Sequence, residues 1–562
     1  MRIKSLGLAD GYVGSIHNPL TDLLFFAFCI CWSQAASPDQ GQAFPVMFTD
    51  VTQEARIQFK HHSGKNEHHH IVETMGAGAA FLDYDNDGFL DLYLIESGSL
   101  EAEPTYVNRL YRNNGDGTFI DVTQRSGVGD AGYGMGVTVG DYNNDGFIDL
   151  YITNFGANVL YQNRGDGTFI DVTEQAQVGN SDWSTGCAFL DYNLDSHLDL
   201  YVVNYVVYDT SMKSCLNPKT GLVEYCHPRT FRPAKDALYQ NNGDGTFTDV
   251  TRSSGVYNSI PCRGLGIGIG DIDHNGYPDI YVANDTDRNC FYLNRKGQFR
   301  DIAFASGTAL NKDGIQEGGM GVDIGDYDGN GWPDIFVTNT ETNTLYKSRG
   351  DGTFTDVSDE ANLGGVTASL VGFGTKLFDY DNDGDLDIFV ANGEVQDALD
   401  PVTGMSIYPQ RDQLYQSNGD STYTEVPVGE YFSRRYIGRG TAFGDYDNDG
   451  DIDLLVTNCN QGVILLRNDG GNANNWLAIK LTGTKSNRDG IGARILLTLE
   501  NETRLGEVQS AASYLSANDL RVFFGLGEKT RVDQITIYWP SGIKQTLNDI
   551  EANQLIQITE KI

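Results

Sequence analysis

The sequence predicts an all-β chain: a seven-bladed β-propeller with calcium-binding loops, followed by a small β-sandwich-like domain. Three observations carry that expectation. A nine-residue Asp-rich phrase occurs seven times, its flanks repeat with it as strand-like runs, and the strand missing from the last copy stands ahead of the first. Repetition at a period of tens of residues marks propellers and solenoids. The composition agrees, because 66 Gly, 30 Tyr and 27 Phe in 562 residues suit many short strands joined by tight turns.

The repeat begins at Asp83, Asp141, Asp191, Asp271, Asp326, Asp379 and Asp445. Two residues before each start stands an apolar side chain, and five before it always a glycine: Gly78, Gly136, Gly186, Gly266, Gly321, Gly374 and Gly440. After each loop comes a strand-like phrase such as Asp149-Leu-Tyr-Ile-Thr-Asn154, then a Leu-Tyr-x-Asn run such as Leu160 to Asn163. A Gly-Asp-Gly-Thr turn, for example Gly165 to Thr168, leads into a run such as Phe169-Ile-Asp-Val-Thr173. Asp-Gly turns between alternating apolar runs are hairpin signals. Each unit therefore reads as four antiparallel strands, A to D, and four-stranded units repeated radially make a propeller. Glycine on strand A fits the crowded axis, where a Cβ lacks room.

The seventh unit lacks a D strand, and Phe48-Thr-Asp-Val-Thr52 supplies one from the N-terminal end. A three-plus-one closure leaves no open strand edge. The propeller is thus expected over residues 44–470 and the second domain over 474–562.

The acidity of the chain, a formal charge of −38, excludes nucleic acid as a partner. The acids are clustered, so they read as metal ligands. In the first loop, positions one, three, five, seven and nine are Asp83, Asp85, Asp87, Phe89 and Asp91. The second has Asp141, Asn143, Asp145, Phe147 and Asp149, and the third Asp191, Asn193, Asp195, His197 and Asp199. The fourth has Asp271, Asp273, Asn275, Tyr277 and Asp279, and the fifth Asp326, Asp328, Asn330, Trp332 and Asp334. The sixth has Asp379, Asp381, Asp383, Asp385 and Asp387, and the seventh Asp445, Asp447, Asp449, Asp451 and Asp453. Side-chain oxygens at alternate positions, with a backbone carbonyl at position seven, suit a hard cation of irregular geometry, which is calcium, up to seven ions. A glycine at position six permits the bend. The third loop is the weakest, with Ser196 there.

These repeats resemble FG-GAP/VCBS repeats, which build the integrin α-subunit propeller. The C-terminal segment resembles the ASPIC/UnbV domain in Asn487-Arg-Asp-Gly-Ile-Gly-Ala-Arg494, Arg521-Val-Phe-Phe-Gly-Leu-Gly527 and Ile537-Tyr-Trp-Pro-Ser-Gly542. The two together resemble the cartilage acidic protein family. That resemblance implies a secreted, acidic, calcium-binding protein with matrix or adhesion roles, and supplies neither a ligand nor a reaction.

The N-terminus carries Arg2 and Lys4, an apolar run from Leu23 to Trp32, and small residues at Ser33, Ala35 and Ala36. Residues 1–36 read as a secretory signal peptide, with a retained anchor as the alternative. The run is too short to span a bilayer, and no other segment is apolar enough. An exported chain can oxidise cysteines, and the expected pairs are Cys215 with Cys226 and Cys262 with Cys290.

Long insertions fall in the B-to-C connections: Glu96 to Asn108, Tyr205 to Asp236 and Gly393 to Asp412. Variable loops on one face of a rigid scaffold are where recognition resides. Glu73, Tyr133, Trp183, Arg263, Glu317 and Arg439 precede inner strands there. They are expected near the axial mouth, either converging on a protein, glycan or small-molecule ligand or plugging the channel. His61, His62, His68, His69 and His70 read as a polar loop or a soft-metal site. Arg488, Arg494 and Arg521 read as structural or as an anion site. No nucleophile–base motif is legible. The expected function is therefore an extracellular binding or adhesion module, with an enzyme active at the propeller mouth or domain junction as the alternative.

Overall fold

The computed structural model describes residues 46–100, 106–211, 214–217, 221, 223–257, 261–397, 408–500 and 502–561. The expected signal peptide lies outside them. Among the described residues no helix is long and apolar enough to cross a membrane.

The repeats form seven four-stranded antiparallel sheets, each in the order A-B-C-D. In the second unit these strands are Tyr133–Gly140, Asp149–Phe155, Val159–Asn163 and Phe169–Asp171. In the seventh unit, Gly438–Gly444, Asp453–Asn458 and Ile464–Asp469 are completed by Met47–Asp50 from the N-terminal end. Met47 lies opposite Asp469, and Asp50 opposite Leu466. The A strands pack one against the next, and that of the seventh unit against that of the first.

The strand-A glycines are explained by crowding. A Cβ on Gly266 would stand 2.1 Å from the carbonyl oxygen of Met320 on the next inner strand, and one on Gly321 2.2 Å from that of Phe373. Apolar cores lie between adjacent sheets, as where Leu82, Tyr93 and Leu110 of the first unit meet Val137, Leu150 and Tyr161 of the second. Polar fasteners tie neighbours as well. The Asn ending strand C donates to the carbonyl at loop position two of the preceding unit, as Asn163 does to Tyr84 at 2.8 Å. Asn113 makes the same bond across the closure, to Tyr446 at 2.9 Å.

The C-terminal domain has two sheets. One holds Val522–Gly527, Asn475–Thr482 and Gln554–Thr559, with the last two strands parallel. The other holds Glu502–Glu507, Arg494–Leu499, Arg531–Tyr538 and Lys544–Glu551. Its core is continuous with that of the second and third units, where Leu477 and Ile491 join Tyr142 and Phe189.

Between Glu507 and Val522 the chain leaves this domain and runs along the inner strands. Ser513 and Val322 exchange backbone hydrogen bonds of 2.8 and 3.1 Å. Ala517 N donates to Ala79 O at 2.9 Å, and Val137 N to Leu515 O at 3.2 Å. A Cβ on Gly78 would stand 2.1 Å from Leu515 O and 2.9 Å from Met135 O, so that glycine admits this segment as well as the neighbouring strand. Tyr514 is fully buried and donates its hydroxyl to Met75 O at 2.9 Å.

Candidate functional site: the aspartate loops and the opposite face

Each Asp-rich loop is held by its own carboxylates. In the second loop Asp141 accepts from the amides of Asp145, at 3.0 Å, and Gly146, at 2.6 Å. Asp145 accepts from Phe147 N at 3.0 Å. The ninth residue has a second duty that the sequence did not suggest. Asp149 accepts from Tyr142 N at 3.2 Å and from Asn163 N at 2.7 Å, so it staples the loop to strand C. Asp91, Asp199, Asp279, Asp334, Asp387 and Asp453 accept likewise from loop position two and from strand C. Each carboxylate oxygen keeps a second lone pair for a cation. Position seven also acts through its ring, because Phe147 and Trp332 lie over Gly165 and Gly350 of the C-to-D turn.

In five loops, carboxylate oxygens from positions one, three and nine lie within 4.8 Å of one another: Asp83/Asp85/Asp91, Asp271/Asp273/Asp279, Asp326/Asp328/Asp334, Asp379/Asp381/Asp387 and Asp445/Asp447/Asp453. Asp83, Asp85, Asp381 and Asp447 each keep a buried oxygen with no hydrogen-bond partner. Burial, joined by neighbouring carboxylates, raises Asp381 and Asp447 to about 6. Burial likewise lifts Asp91 to about 8. Crowded, part-buried acids with orphaned oxygens fit a hard divalent cation.

The loops are not equivalent. In the second and third, Asn143 and Asn193 turn their amides onto Asp145 and Asp195 at 2.9 and 2.8 Å. In the third, Ser196 adopts a φ of 76°, the left-handed region that glycine tolerates and serine resists. In the first, Arg112 reaches Asp85 at 2.6 Å and Asp87 at 2.7 Å. In the fourth, Arg295 pairs with Asp273, and Arg494 with Asp271 at 3.1 Å. In the fifth, Lys347 pairs with Asp328 at 2.5 Å. The clustered carboxylates of the sixth and seventh loops carry no such ion pair among the described residues, and both loops add an acid at position seven, Asp385 and Asp451.

The C-terminal domain covers this face. Asp489 accepts from Asp141 N at 2.6 Å, and Arg488 N donates to Asn144 at 2.8 Å. Ser196 donates to Lys485 O, and the carboxylate of Glu507 accepts from Asp271 N. Arg521 donates to Asn448 and to Asp445 O, both at 2.6 Å. Side chains also link loop to loop. Asn86 donates to Gly146 O and, across the closure, Asn448 to Gly88 O, both at 2.9 Å.

On the opposite face, of the two alternatives the sequence left open, five of the six residues follow the plugging one and are buried. Arg439 is fully buried and donates to the carbonyls of Thr74, Gly393, Gly438 and Glu394. Trp183 is buried edge-on against Phe155 and Tyr205. Tyr133 donates to Ser63 O at 2.7 Å, and Arg263 binds Asp287 at 2.8 Å and two carbonyls. Glu73 is buried in the short helix Ile71–Thr74 against Tyr225, and burial raises its carboxyl to about 7. The reason is steric: residues around Ile71 to Met75 pack with Tyr514 and Leu515 of the inserted segment into one apolar cluster. Removing Trp183 would therefore cost about 3–5 kcal/mol of core packing.

Glu317 borders an open cavity of about 560 Å³, lined also by Arg229, Asn311, Gln316 and Thr344. Its carboxylate accepts from Thr344 at 2.7 Å, Asn311 at 3.0 Å and Asn339 at 3.2 Å. Burial nonetheless raises it to about 7.

The histidines disperse. His61 bonds Ser97 at 2.9 Å, His62 pairs with Glu96 at 3.0 Å and His70 with Tyr208 at 2.7 Å. His61 Nδ1 accepts from Asn460 N, so Nε2 carries the proton and Ser97 is not activated by a base. Cys215 and Cys226 form a disulfide. Cys262 and Cys290 do not, a correction: their sulfurs lie 3.9 Å apart as buried thiols at the starts of strands A and C of one sheet.

Sequence comparison agrees with this architecture. FG-GAP-like repeats match residues 83–152, 141–202, 230–282, 271–337 and 326–390, and an ASPIC and UnbV domain matches 483–562. The chain belongs to the FG-GAP-like repeat proteins that carry a C-terminal ASPIC and UnbV domain. Cartilage acidic protein 1 of Homo sapiens is 26% identical over 322 residues, 55% of this chain and 46% of that protein. The Mus musculus protein is 24% identical over 55% of this chain and 47% of its own length. The chain thus matches about half the length of these relatives. Among solved structures, an Agrocybe aegerita lectin recognising non-reducing terminal N-acetylglucosamine aligns at 14% identity and a TM-score of 0.36, over 69% of this chain and 87% of its own.

Proposed function

We propose that this protein is an exported, calcium-loaded seven-bladed β-propeller that works as a binding module, recognising its ligand on the face opposite the aspartate loops. The observation that carries this reading is the asymmetry of access. The loop face lies under the C-terminal domain and the inner strands are lined by residues 508–520, whereas the variable connections stay open around the Glu317 cavity. The cavity's side chains are hydrogen-bonding rather than apolar, which suits a polyhydroxylated or peptide ligand. Calcium is supported by the five carboxylate clusters, most strongly in the sixth and seventh loops, and would be held there by Asp379, Asp381, Asp387 and Asp445, Asp447, Asp453. Export is supported by the N-terminal apolar run, by the disulfide, and by homology to proteins named for cartilage, an extracellular tissue. The test is a glycan and peptide array probed with the purified chain and with a Glu317→Gln, Arg229→Ala variant. The reading expects a ligand that the parent retains and the variant loses while staying folded. A ligand held equally by both would move recognition elsewhere.

A further inference from the structure

A second cavity, of about 390 Å³, lies between the first two aspartate loops and the C-terminal domain. Its apolar wall is built from both sides: Leu90, Val139 and Ile148 come from the ring, Leu520 and Leu555 from the domain. Leu555 is 37% exposed, so this wall is open to a visitor rather than sealed as core.

Lys480 and Arg488 stand at its rim. The other two arginines singled out in the sequence are already engaged, Arg494 with Asp271 and Arg521 with Asp519. Arg488 differs: it is exposed, and among the described residues its guanidinium has no partner. Lys480 has only a distant one, Asp83 at 3.6 Å. Three acids line the same space, and of these Asp83 faces Lys480. Asp489 accepts from Asp141 N at 2.6 Å, and Asp519 pairs with Arg521 at 2.6 Å. Arg488 is therefore the one cation of this lining with no carboxylate partner among the described residues, in a chain whose net charge is −38. An unpaired guanidinium beside a concave apolar wall complements a carboxylate that carries a hydrocarbon body.

We propose that this interdomain crevice binds a small amphiphilic carboxylate, its carboxylate on Arg488 and Lys480 and its apolar body against Leu520, Leu555 and Val139. The site is distinct from the Glu317 cavity, and its occupation would hold the two domains together by bridging them.

Isothermal titration calorimetry of the full chain in calcium-containing buffer tests this, with sodium octanoate as the probe. One saturable site is expected. The double variant Lys480→Ala, Arg488→Ala should weaken it about tenfold or more, as for loss of a hydrogen bond to a charged group. Leu555→Trp, at a half-exposed position that tolerates a larger side chain, should block it by filling the space. Sodium sulfate and 1-octanol, which carry the charge or the hydrocarbon alone, should each bind far more weakly. Absence of saturable heat with octanoate would overturn the proposal. So would octanoate binding unchanged in both variants, or sulfate or octanol binding as tightly as octanoate.

Discussion

The two faces of the ring are built by opposite rules. On the aspartate-loop face the connections have nearly the same length and chemistry, and a second domain lies upon it. On the other face the connections differ in length, carry the disulfide-linked hairpin Cys215–Leu216 and Val223–Glu224, and leave the Glu317 cavity open. Uniform loops meet a uniform demand, which is to bend a hairpin around clustered carboxylates and present backbone groups to a fixed partner. Variable loops answer to something outside the chain. The comparison teaches that the repeated motif, the loudest signal in the sequence, belongs to architecture.

The largest way to break that comparison is to remove what joins the loop face to the axis. Replacing residues 508–520 with a Gly/Ser linker strips backbone partners from inner strands such as Ala79 and Val322 and leaves apolar surface bare. We expect loss of soluble monomer by size-exclusion chromatography. A well-folded monomer would show that the segment is an accessory.

A more graded test compares loops. Ligand binding to the native state stabilises it by mass action, so excess chelator should lower the melting temperature by about ten degrees or more. Asp379→Ala should remove more of that calcium-dependent shift than Asp191→Ala. The sixth loop gathers three carboxylates, whereas in the third Asn193 is turned onto Asp195 and Ser196 occupies a glycine conformation. Equal effects would mean that carboxylate count does not rank the sites.

Much of this was legible beforehand, and the reasons differ by residue. Strand order and the three-plus-one closure could be read because each strand type has its own phrase, down to Phe48 standing in for the seventh unit's last strand. Gly78 was marked as an inner-strand glycine for the right reason, crowding by the next strand, where Met135 O stands, but the atom nearest its missing Cβ is Leu515 O, from more than four hundred residues away. Nothing local in residues 508–520 announces insertion among the inner strands: backbone bonds such as Ala517 N to Ala79 O carry no sequence signal, and Gln509, Ser510, Ser513, Ser516 and Asn518, whose side chains also bond the inner strands, are residues that any loop carries. The same blindness left open whether Trp183 and Arg439 face a ligand or plug the channel. Their position in the repeat was right, but whether a position at the mouth is open or covered depends on that distant segment and on Ile71–Thr74. Two of the C-terminal strands, Glu502–Glu507 and Lys544–Glu551, are largely polar and so carry little strand signal.

The smallest expected effect sharpens the open face. Burial raises the Glu317 carboxyl from 4.5 to about 7. Because the folded value lies above the unfolded one, the fold favours the protonated acid. That contribution is complete below pH 4.5 and is lost as the pH rises to about 7. Glu317→Gln keeps the neutral form. Its melting temperature should match the parent's at low pH and exceed it modestly above neutrality, as read by scanning calorimetry at several pH values. A variant less stable at high pH would show that the charged carboxylate is what Asn311, Asn339 and Thr344 hold in place.

Hydrogen exchange by mass spectrometry, with and without chelator, addresses the central claim most directly, because it reports both faces at once. If the aspartate loops, residues 508–520 and the docked C-terminal domain form one metal-dependent unit, chelation should accelerate exchange in all three together. Residues 311–317 beside the Glu317 cavity should change little. Exchange that quickens on the Glu317 face while the loops and residues 508–520 stay protected would contradict the account.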